Sequence, residues 1–203
     1  MKIETKKIEM DLDWELYDAK FISRPNRFIT LVEFEKNIYE SHLPDPGGLK
    51  EVLLQEAKLL IKKENNKNRK TKFSTQAIYL GNRLVSLNTW LPNFFFEYLI
   101  KNYSIPFLRG WIFKRREVKI GKSRFDFLLI NDLDEKLILE IKSVTLVKNK
   151  VAMFPDSVTQ RGEKHLSHLA KISSQGKKCM VVFVIQRDDP IEFQPNWAKD
   201  PSF

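Results

Sequence analysis

The feature that most constrains the fold of this chain is a change in hydrophobic pattern near Asn88. Before that residue, apolar side chains occur in short alternating runs separated by turn-forming residues. The turn signals stand at Pro25-Asn26, Lys36-Asn37, 44–48 (PDPGG) and Gly81-Asn82. Period-two runs broken in this way predict short strands, and their number and length suit a small OB-like β-barrel. We therefore predict an N-terminal barrel domain over residues 1–86.

After Asn88 the runs become longer and helical segments alternate with strands. Asn93 precedes an apolar run and is a candidate N-cap for a helix that continues to about Tyr103. The remaining predicted elements are strands at 111–120, 124–130, 137–146 and 180–186, and a helix at 157–172. This order predicts an α/β domain over residues 87–203, with a mixed sheet flanked by helices.

The charge of the chain favours a polyanionic partner. Its 203 residues include 35 Lys or Arg and 26 Asp or Glu, which gives a net charge of +9. Such a balance is typical of nucleic-acid binders, because each neutralised phosphate releases a condensed counterion, although a Lys-rich protein can be basic without this role. The segment 58–72 (KLLIKKENNKNRKTK) predicts a basic hairpin loop. A hydrated loop without a ligand is the alternative.

Cysteine usage and hydropathy predict a cytoplasmic protein without a membrane partner. The single cysteine, Cys179, has no partner for an internal disulfide. No secretory signal is recognisable, and no apolar run approaches the roughly 18 residues that span a bilayer. The sequence leaves the oligomeric state open, with a homodimer as one alternative.

A predicted hairpin brings together the residues that best account for chemistry. The polar segment 131–136 joins two predicted strands, and a turn centred on Leu133 sets Asp126 opposite Glu140. Alternation then places Lys142 beside Glu140 on the same face. On the other face, the same register predicts that Phe125 opposes Ile141, and that Phe127 opposes Leu139.

Two carboxylates directly opposite each other are destabilising unless a cation offsets their charge. Mg²⁺ or Mn²⁺ suits such a site, since Mg²⁺ takes one or two carboxylates and completes its shell with water and phosphate oxygens. Lys142 can stabilise charge that develops on a phosphate, and Glu97 on the preceding helix is a candidate further carboxylate. The alternative is structural: Glu140 and Lys142 neutralise each other, and Asp126 pairs with a nearby cation.

Candidate phosphate-binding residues lie elsewhere in the chain. Asp156 or Ser157 is a predicted N-cap for the second helix, on which Arg161 and His165 lie one turn apart. A helix N-terminus beside an arginine suits a phosphate, whereas His165 alone is also explained as a half-buried histidine. The complete set of predicted phosphate contacts is Arg24, Arg27, Lys148, Arg161 and His165.

Several longer segments resemble the sugar fermentation stimulation protein A family. They are RPNRF (24–28), HLPDPGGL (42–49), LNTWLPN (87–93), SRFDFLL (123–129), LEIKSVTL (139–146), FPDSVTQRGEKHL (154–166) and the terminal DPSF. Together they span nearly the whole chain.

The resemblance implies an N-terminal OB fold, a C-terminal PD-(D/E)XK nuclease-like domain and DNA binding with little sequence preference. By position, Asp126, Glu140 and Lys142 match the acidic pair and lysine of that nuclease fold, and Glu97 matches the acid of its first core helix. The expected function is a metal-dependent nuclease acting on DNA, with RNA as a second candidate substrate. The alternative is a non-catalytic DNA-binding regulator of sugar-catabolism genes.

Overall fold

The N-terminal part of the protein forms a closed β-barrel. The structure, a computed structural model, describes residues 7–158 and 160–201, with only the backbone described at Arg161. The barrel strands are β1 (Leu16–Asn26), β2 (Ile29–Phe34), β3 (Asn37–His42), β4 (Lys58–Lys63), β5 (Phe73–Leu80) and β6 (Arg83–Ser86). A parallel contact between β3 and β5 closes the sheet into five strands, and β6 extends it from β5. The predicted OB-like barrel is confirmed.

Alternating side chains explain why these segments form a barrel. In β4, Leu59 and Ile61 are fully buried while Lys58 and Lys63 are exposed. The inward residues pack with Val32 and other aliphatic side chains in one core. Burial of each such aliphatic side chain contributes roughly 1.5 to 3 kcal/mol to the free energy of unfolding. The barrel therefore holds together through its own core.

The C-terminal part is a mixed sheet between two helices. Its elements are α1 (Leu91–Lys101), β7 (Ile112–Ile120), β8 (Ser123–Ile130), β9 (Lys136–Val144), β10 (Val147–Lys148), β11 (Val151–Phe154), α2 (Gln160–Ser174), β12 (Lys178–Ile185) and β13 (Glu192–Pro195), with a short 3-10 helix at Pro106–Leu108. The main sheet has the order β12-β9-β8-β7, with β12 parallel to β9. The predicted mixed sheet flanked by helices is confirmed. The sequence did not predict the smaller sheet formed by β10, β11 and β13.

Each helix covers one face of the main sheet. Phe96 and Ile100 of α1 pack in a core that includes Phe127 and Leu139. On the opposite face, Leu169 and Ile172 of α2 pack in a core that includes Phe125, Leu128 and Ile138. Both helices thus cover the β8–β9 hairpin, from opposite sides.

The predicted register of this hairpin is confirmed near its turn and wrong beyond it. Phe127 pairs with Leu139 and Ile130 with Lys136, as a turn centred on Leu133 requires. Phe125, however, packs beneath α2, whereas Phe127 packs beneath α1. The prediction that Phe125 and Phe127 share one face of the sheet fails because the alternation of side chains between the two faces is interrupted between these residues. On the adjacent strand β7, Glu117 adopts a φ of 53°.

Two predicted helix caps are also wrong. Trp90, and not Asn93, stands at the N-cap of α1. The second helix begins at Gln160, and the Asp156 carboxylate instead accepts a hydrogen bond from the Gly48 backbone N–H in the barrel. Both polar side chains have tertiary partners that a local pattern cannot reveal.

Among the described residues, no helix has the length and apolar character needed to cross a bilayer.

Candidate metal and phosphate site

A cavity of about 520 Å³ lies where the barrel meets the sheet. The barrel contributes Arg27 and the loop at Asp45 to Gly47, and the hairpin contributes the three residues predicted to act together. These three residues are Asp126, Glu140 and Lys142. The structure therefore brings the predicted acidic pair and lysine into one open pocket.

Asp126 reaches this cavity because the β8–β9 ladder opens beside it. The backbone pairing runs from Ile130 only as far as Phe127, so Asp126 does not face Glu140 in a regular pair. Instead, its Oδ2 accepts the backbone N–H of Ile141 at 2.7 Å, and its Oδ1 accepts the Asn93 amide at 3.1 Å. The carboxylate is thus held between the strands by a backbone donor and a helix side chain.

The electrostatic environment of Asp126 disfavours its negative charge. Burial, followed by the charge of Glu140, raises the pKa of Asp126 to about 6. The Ile141 N–H, Lys142 and Asn93 oppose this shift without cancelling it. A carboxyl group with this pKa is stabilised in its ionised form by an additional positive charge.

Glu140 combines deep burial with an incomplete set of partners. It is only 4% exposed. Its Oε1 accepts hydrogen bonds from Lys142 Nζ and from His165 Nδ1, the latter at 3.1 Å when that nitrogen carries the proton. Its Oε2 is buried without a hydrogen-bond donor among the described residues. Because an unpaired buried carboxylate oxygen is costly, a divalent cation bound here would supply the partner that Oε2 lacks.

The position of His165 follows from the packing of α2. Its ring and that of His168 lie 5.8 and 5.7 Å from the ring of Phe125. His168 Nδ1 also lies 2.6 Å from the Ser123 hydroxyl. These contacts hold α2 against β8, and this position brings His165 within hydrogen-bond distance of Glu140. His165 was predicted as a phosphate contact, and the structure shows it bound to Glu140.

Glu97 and Lys148 are not brought to the cavity. The Glu97 carboxylate is bound by Lys101, at 2.5 Å, and by Arg116. Lys148 is exposed on β10. Neither residue is among the described residues that line the cavity. The side chain of Arg161 lies outside the described part of the chain.

The two barrel arginines have different positions. Arg24 donates to the backbone carbonyls of Gly48, Arg27 and Asp45, at 2.8, 3.0 and 3.3 Å. It therefore supports the loop beside the cavity. Arg27 is exposed and lines the cavity, and it remains a candidate phosphate contact.

Sequence reasoning missed the roles of two acids, Asp156, which joins the domains, and Asp45, which supports the adjacent barrel loop. Asp156 Oδ2 accepts the Gly48 N–H at 2.8 Å, and Asp45 Oδ1 accepts the Gly47 N–H at 2.8 Å. A Cβ on Gly47 would lie 2.1 Å from Asp156 Oδ2, so glycine allows this approach. Burial and the nearby Asp156 help raise the pKa of Asp45 to about 6. The only sequence signal was the position of both acids within distinctive Pro-containing segments.

The cavity does not have the donor set of an all-protein metal site. Within residues 7–158 and 160–201, no group of three or more His, Cys, Asp or Glu side chains is arranged to hold a metal ion. Asp126 and Glu140 offer two carboxylates, and hard divalent cations prefer oxygen ligands of this kind.

Comparison with known proteins agrees with this architecture. Residues 22–87 match a family described as "SfsA N-terminal OB domain", and residues 90–203 match "Sugar fermentation stimulation protein RE domain". A sugar fermentation stimulation protein homolog from Natranaerobius thermophilus is 39% identical over 93% of this chain and 80% of that protein. A homolog from Clostridium kluyveri is 40% identical over 91% of this chain and 80% of its own length.

A solved structure, that of Pyrococcus furiosus SfsA in complex with Ca²⁺, is also similar. It is 27% identical, with a TM-score of 0.88, over 95% of this chain and 82% of that chain. The similarity thus extends over both the barrel and the sheet. Together with the two family matches, it shows that the chain belongs to the sugar fermentation stimulation protein family.

Proposed function

We propose that this protein is a metal-dependent phosphodiesterase acting on nucleic acid, with its PD-(D/E)XK-type site at Asp126, Glu140 and Lys142. One observation carries the proposal: Glu140 is buried with one oxygen that no described residue hydrogen-bonds, and it lies beside Asp126, whose pKa is raised to about 6. Asp126 and Glu140 would hold Mg²⁺ or Mn²⁺. The Ca²⁺ complex of the similar Pyrococcus furiosus protein supports a divalent ion that prefers oxygen ligands.

Each residue of the site has a separate task. When bound, such an ion supplies Lewis acidity and lowers the pKa of a coordinated water. The Ile141 N–H and Asn93 orient Asp126, and His165 orients Glu140. Lys142, which is largely buried, places a positive charge where the phosphate becomes more negative.

The surroundings of the cavity suit a nucleic-acid phosphodiester. Arg27 and Arg124 line it and are exposed. Trp90 also lines it and is 67% exposed, so an aromatic surface lies near the acidic pair. The net charge of +9 favours a polyanion. DNA is the proposed substrate, and RNA is the alternative that the assay must compare.

A non-catalytic DNA-binding regulator is the second candidate. The observation that favours it is the bond between Lys142 and Glu140, which already compensates one of the two carboxylates. In that case the acidic pair has only a structural role. Both candidates should bind DNA with an affinity that decreases as the salt concentration rises, so this measurement does not distinguish them.

The deciding experiment incubates wild type and Asp126→Asn with labelled duplex DNA, single-stranded DNA and RNA. Each reaction contains Mg²⁺, Mn²⁺ or EDTA. Asp132→Asn is the matched control, because Asp132 is exposed on the turn of the same hairpin. Metal-dependent cleavage that survives Asp132→Asn and is lost in Asp126→Asn supports the phosphodiesterase. Binding without cleavage in every condition supports the regulator.

A further inference from the structure

Asn93 reaches the cavity from α1 and is bonded there to one member of the acidic pair. Its Nδ2 donates to Asp126 Oδ1 at 3.1 Å, and its side chain lines the cavity. Its own Oδ1 is buried and has no hydrogen-bond partner among the described residues. An unpaired buried amide oxygen is costly. The described part of the protein therefore leaves this oxygen without the donor or cation that would compensate for its burial.

Asn93 also lies where α1 can contribute to the site, whereas Glu97 does not. Glu97 was the further carboxylate that the sequence predicted for the metal, and it lies one turn later on the same helix. Lys101 and Arg116 already bind its carboxylate. Carbonyl oxygens of Asn side chains bind hard divalent cations, as carboxylates and water do. Asn93 therefore offers from α1 the oxygen ligand that Glu97 does not supply.

The spacing between Asn93 and Asp126 suits two ligands of one ion. The bonded atoms, Asn93 Nδ2 and Asp126 Oδ1, lie 3.1 Å apart. Rotation of the amide by half a turn exchanges Nδ2 with Oδ1 and nearly preserves this spacing. In an octahedral Mg²⁺ shell, with oxygens at about 2.0 to 2.1 Å from the ion, neighbouring ligands lie roughly 2.9 Å apart. The rotated amide would thus set two oxygens at the separation that a single cation requires.

The preferred orientation of the amide depends on whether an ion is bound. Without a cation, an amide oxygen facing Asp126 would repel its carboxylate, so the amide presents its donor. One amide atom is bonded and the other is unpaired in either orientation, and the rotation therefore costs chiefly the hydrogen bond to Asp126. A divalent charge between the two oxygens reverses the preference, because it attracts both of them.

We propose that Asn93 is a ligand of the divalent ion, and that its amide rotates from donating to Asp126 to presenting Oδ1 when the ion binds. This inference rests on the proposed metal site at Asp126 and Glu140. It adds a third protein oxygen, which comes from the helix on one face of the sheet, to the two carboxylates of the hairpin. Ion binding then joins α1 to the β8–β9 hairpin.

The variant Asn93→Asp separates a ligand from a residue that only orients Asp126. If Asn93 is a ligand, the variant keeps an oxygen at the ion and adds a negative charge, so Mn²⁺ should bind about tenfold more tightly at pH 8. If Asn93 only orients Asp126, the variant replaces a donor with a like charge and should not bind Mn²⁺ more tightly. Asn93→Leu removes the oxygen and should weaken binding at least about tenfold.

Isothermal titration with Mn²⁺ measures these affinities, and circular dichroism reports whether each variant is folded. Asn82→Asp is the matched control, because Asn82 is exposed in the turn between β5 and β6 and does not line the cavity. It adds the same charge and should leave the Kd within about twofold, since salt screens distant exposed charges. A wild-type protein that binds no Mn²⁺ would overturn the metal site itself. Binding by wild type that Asn93→Asp does not tighten would overturn only the role of Asn93.

A second measurement follows the amide in the wild-type protein and does not require Asn93→Asp to fold. In the ¹⁵N-labelled protein, the side-chain amide signals of Asn93 are those absent from Asn93→Leu. Mg²⁺ should move their proton signals upfield, because the hydrogen bond to the Asp126 carboxylate is lost. Signals that keep their position at saturating Mg²⁺ would show that Asn93 remains a donor. That result would overturn its role as a ligand, even if Asn93→Asp bound Mn²⁺ more tightly.

Discussion

Glu97 and Glu140 are two buried glutamates in the same domain, and their surroundings differ. They are 7% and 4% exposed. Glu97, on the side of the sheet covered by α1, is bound by Lys101 and Arg116. Glu140, on the side covered by α2, shares one oxygen between Lys142 and His165 and leaves the other without a donor among the described residues. Burial alone therefore does not identify a functional site. What distinguishes Glu140 is that one of its two carboxylate oxygens lacks a hydrogen-bond donor among the described residues.

The largest expected difference between the two glutamates is catalytic. Glu140→Gln should lower metal-dependent hydrolysis by on the order of 10³, because a metal ligand provides several kcal/mol of transition-state stabilisation. Glu97→Gln should leave the rate within a few-fold of wild type. Initial rates on labelled DNA measure both. Equal losses in the two variants would contradict the distinction between them.

Metal binding should follow the same division without any need for activity. A divalent ion at a hundredfold excess over its Kd should stabilise wild type by about 2.7 kcal/mol. Glu97→Gln should retain this stabilisation, whereas Glu140→Gln and Asp126→Asn should lose most of it. Thermal unfolding with Mn²⁺, Ca²⁺ or EDTA gives the comparison. Undiminished stabilisation of Asp126→Asn would place the ion elsewhere.

The raised pKa of Asp126 predicts how its own contribution to stability depends on pH. The folded pKa, about 6, exceeds the ordinary value of 3.8, so the folded state binds more protons between these values. The contribution is neutral below about pH 4 and becomes unfavourable as the pH rises to 6. In EDTA, Asp126→Asn should therefore gain up to about 3 kcal/mol over wild type at pH 8 and less than about 1 kcal/mol at pH 4.

Denaturant unfolding at the two pH values measures this difference. The Asn93 amide can accommodate the new side chain by rotating, because its Oδ1 has no hydrogen-bond partner among the described residues. Destabilisation of Asp126→Asn at pH 8 would show that the charge of Asp126 is compensated more fully than its surroundings indicate.

The smallest expected effect is the decrease in stability of Glu97→Gln. Lys101 and Arg116 are partly exposed, with side-chain exposures of 54% and 41%, and water can replace part of their interaction with the carboxylate. The decrease should be about 1 kcal/mol, or roughly 2 to 4 °C in Tm for a chain of this size. Calorimetry in EDTA checks this value. A change in metal-dependent stabilisation would instead connect Glu97 to the ion.

Local patterns predicted much of the fold. Turn residues and period-two runs indicated the barrel strands, and β3 (Asn37–His42) begins at the turn predicted at Lys36-Asn37. The β8–β9 pairing near Leu133 was predictable because a short turn sets the register of its hairpin. Phe125 was misplaced because strict alternation was assumed through a segment where the ladder opens.

The site was only partly predictable. Asp126, Glu140 and Lys142 lie on the two strands of one hairpin, so their proximity was predictable although the pairing of Asp126 with Glu140 was not. Asn93 was assigned to a helix cap and Glu97 to the metal, yet Asn93 binds Asp126 and Glu97 binds cations on the other side of the sheet. These roles depend on the orientation of α1 about its own axis relative to the sheet. The helical periodicity of the sequence does not specify which sheet residues each α1 side chain will meet.

The sequence by itself determined the barrel, the mixed sheet and the hairpin that carries the acidic pair, because each depends on side-chain period and turn chemistry within short segments. Only the tertiary structure decided which polar groups would find partners. The hydrogen bond between Gly48 and Asp156 joins residues 108 positions apart. Whether the second oxygen of Glu140 finds a donor depends on β9, α2 and their neighbours together, and none of the described residues supplies one.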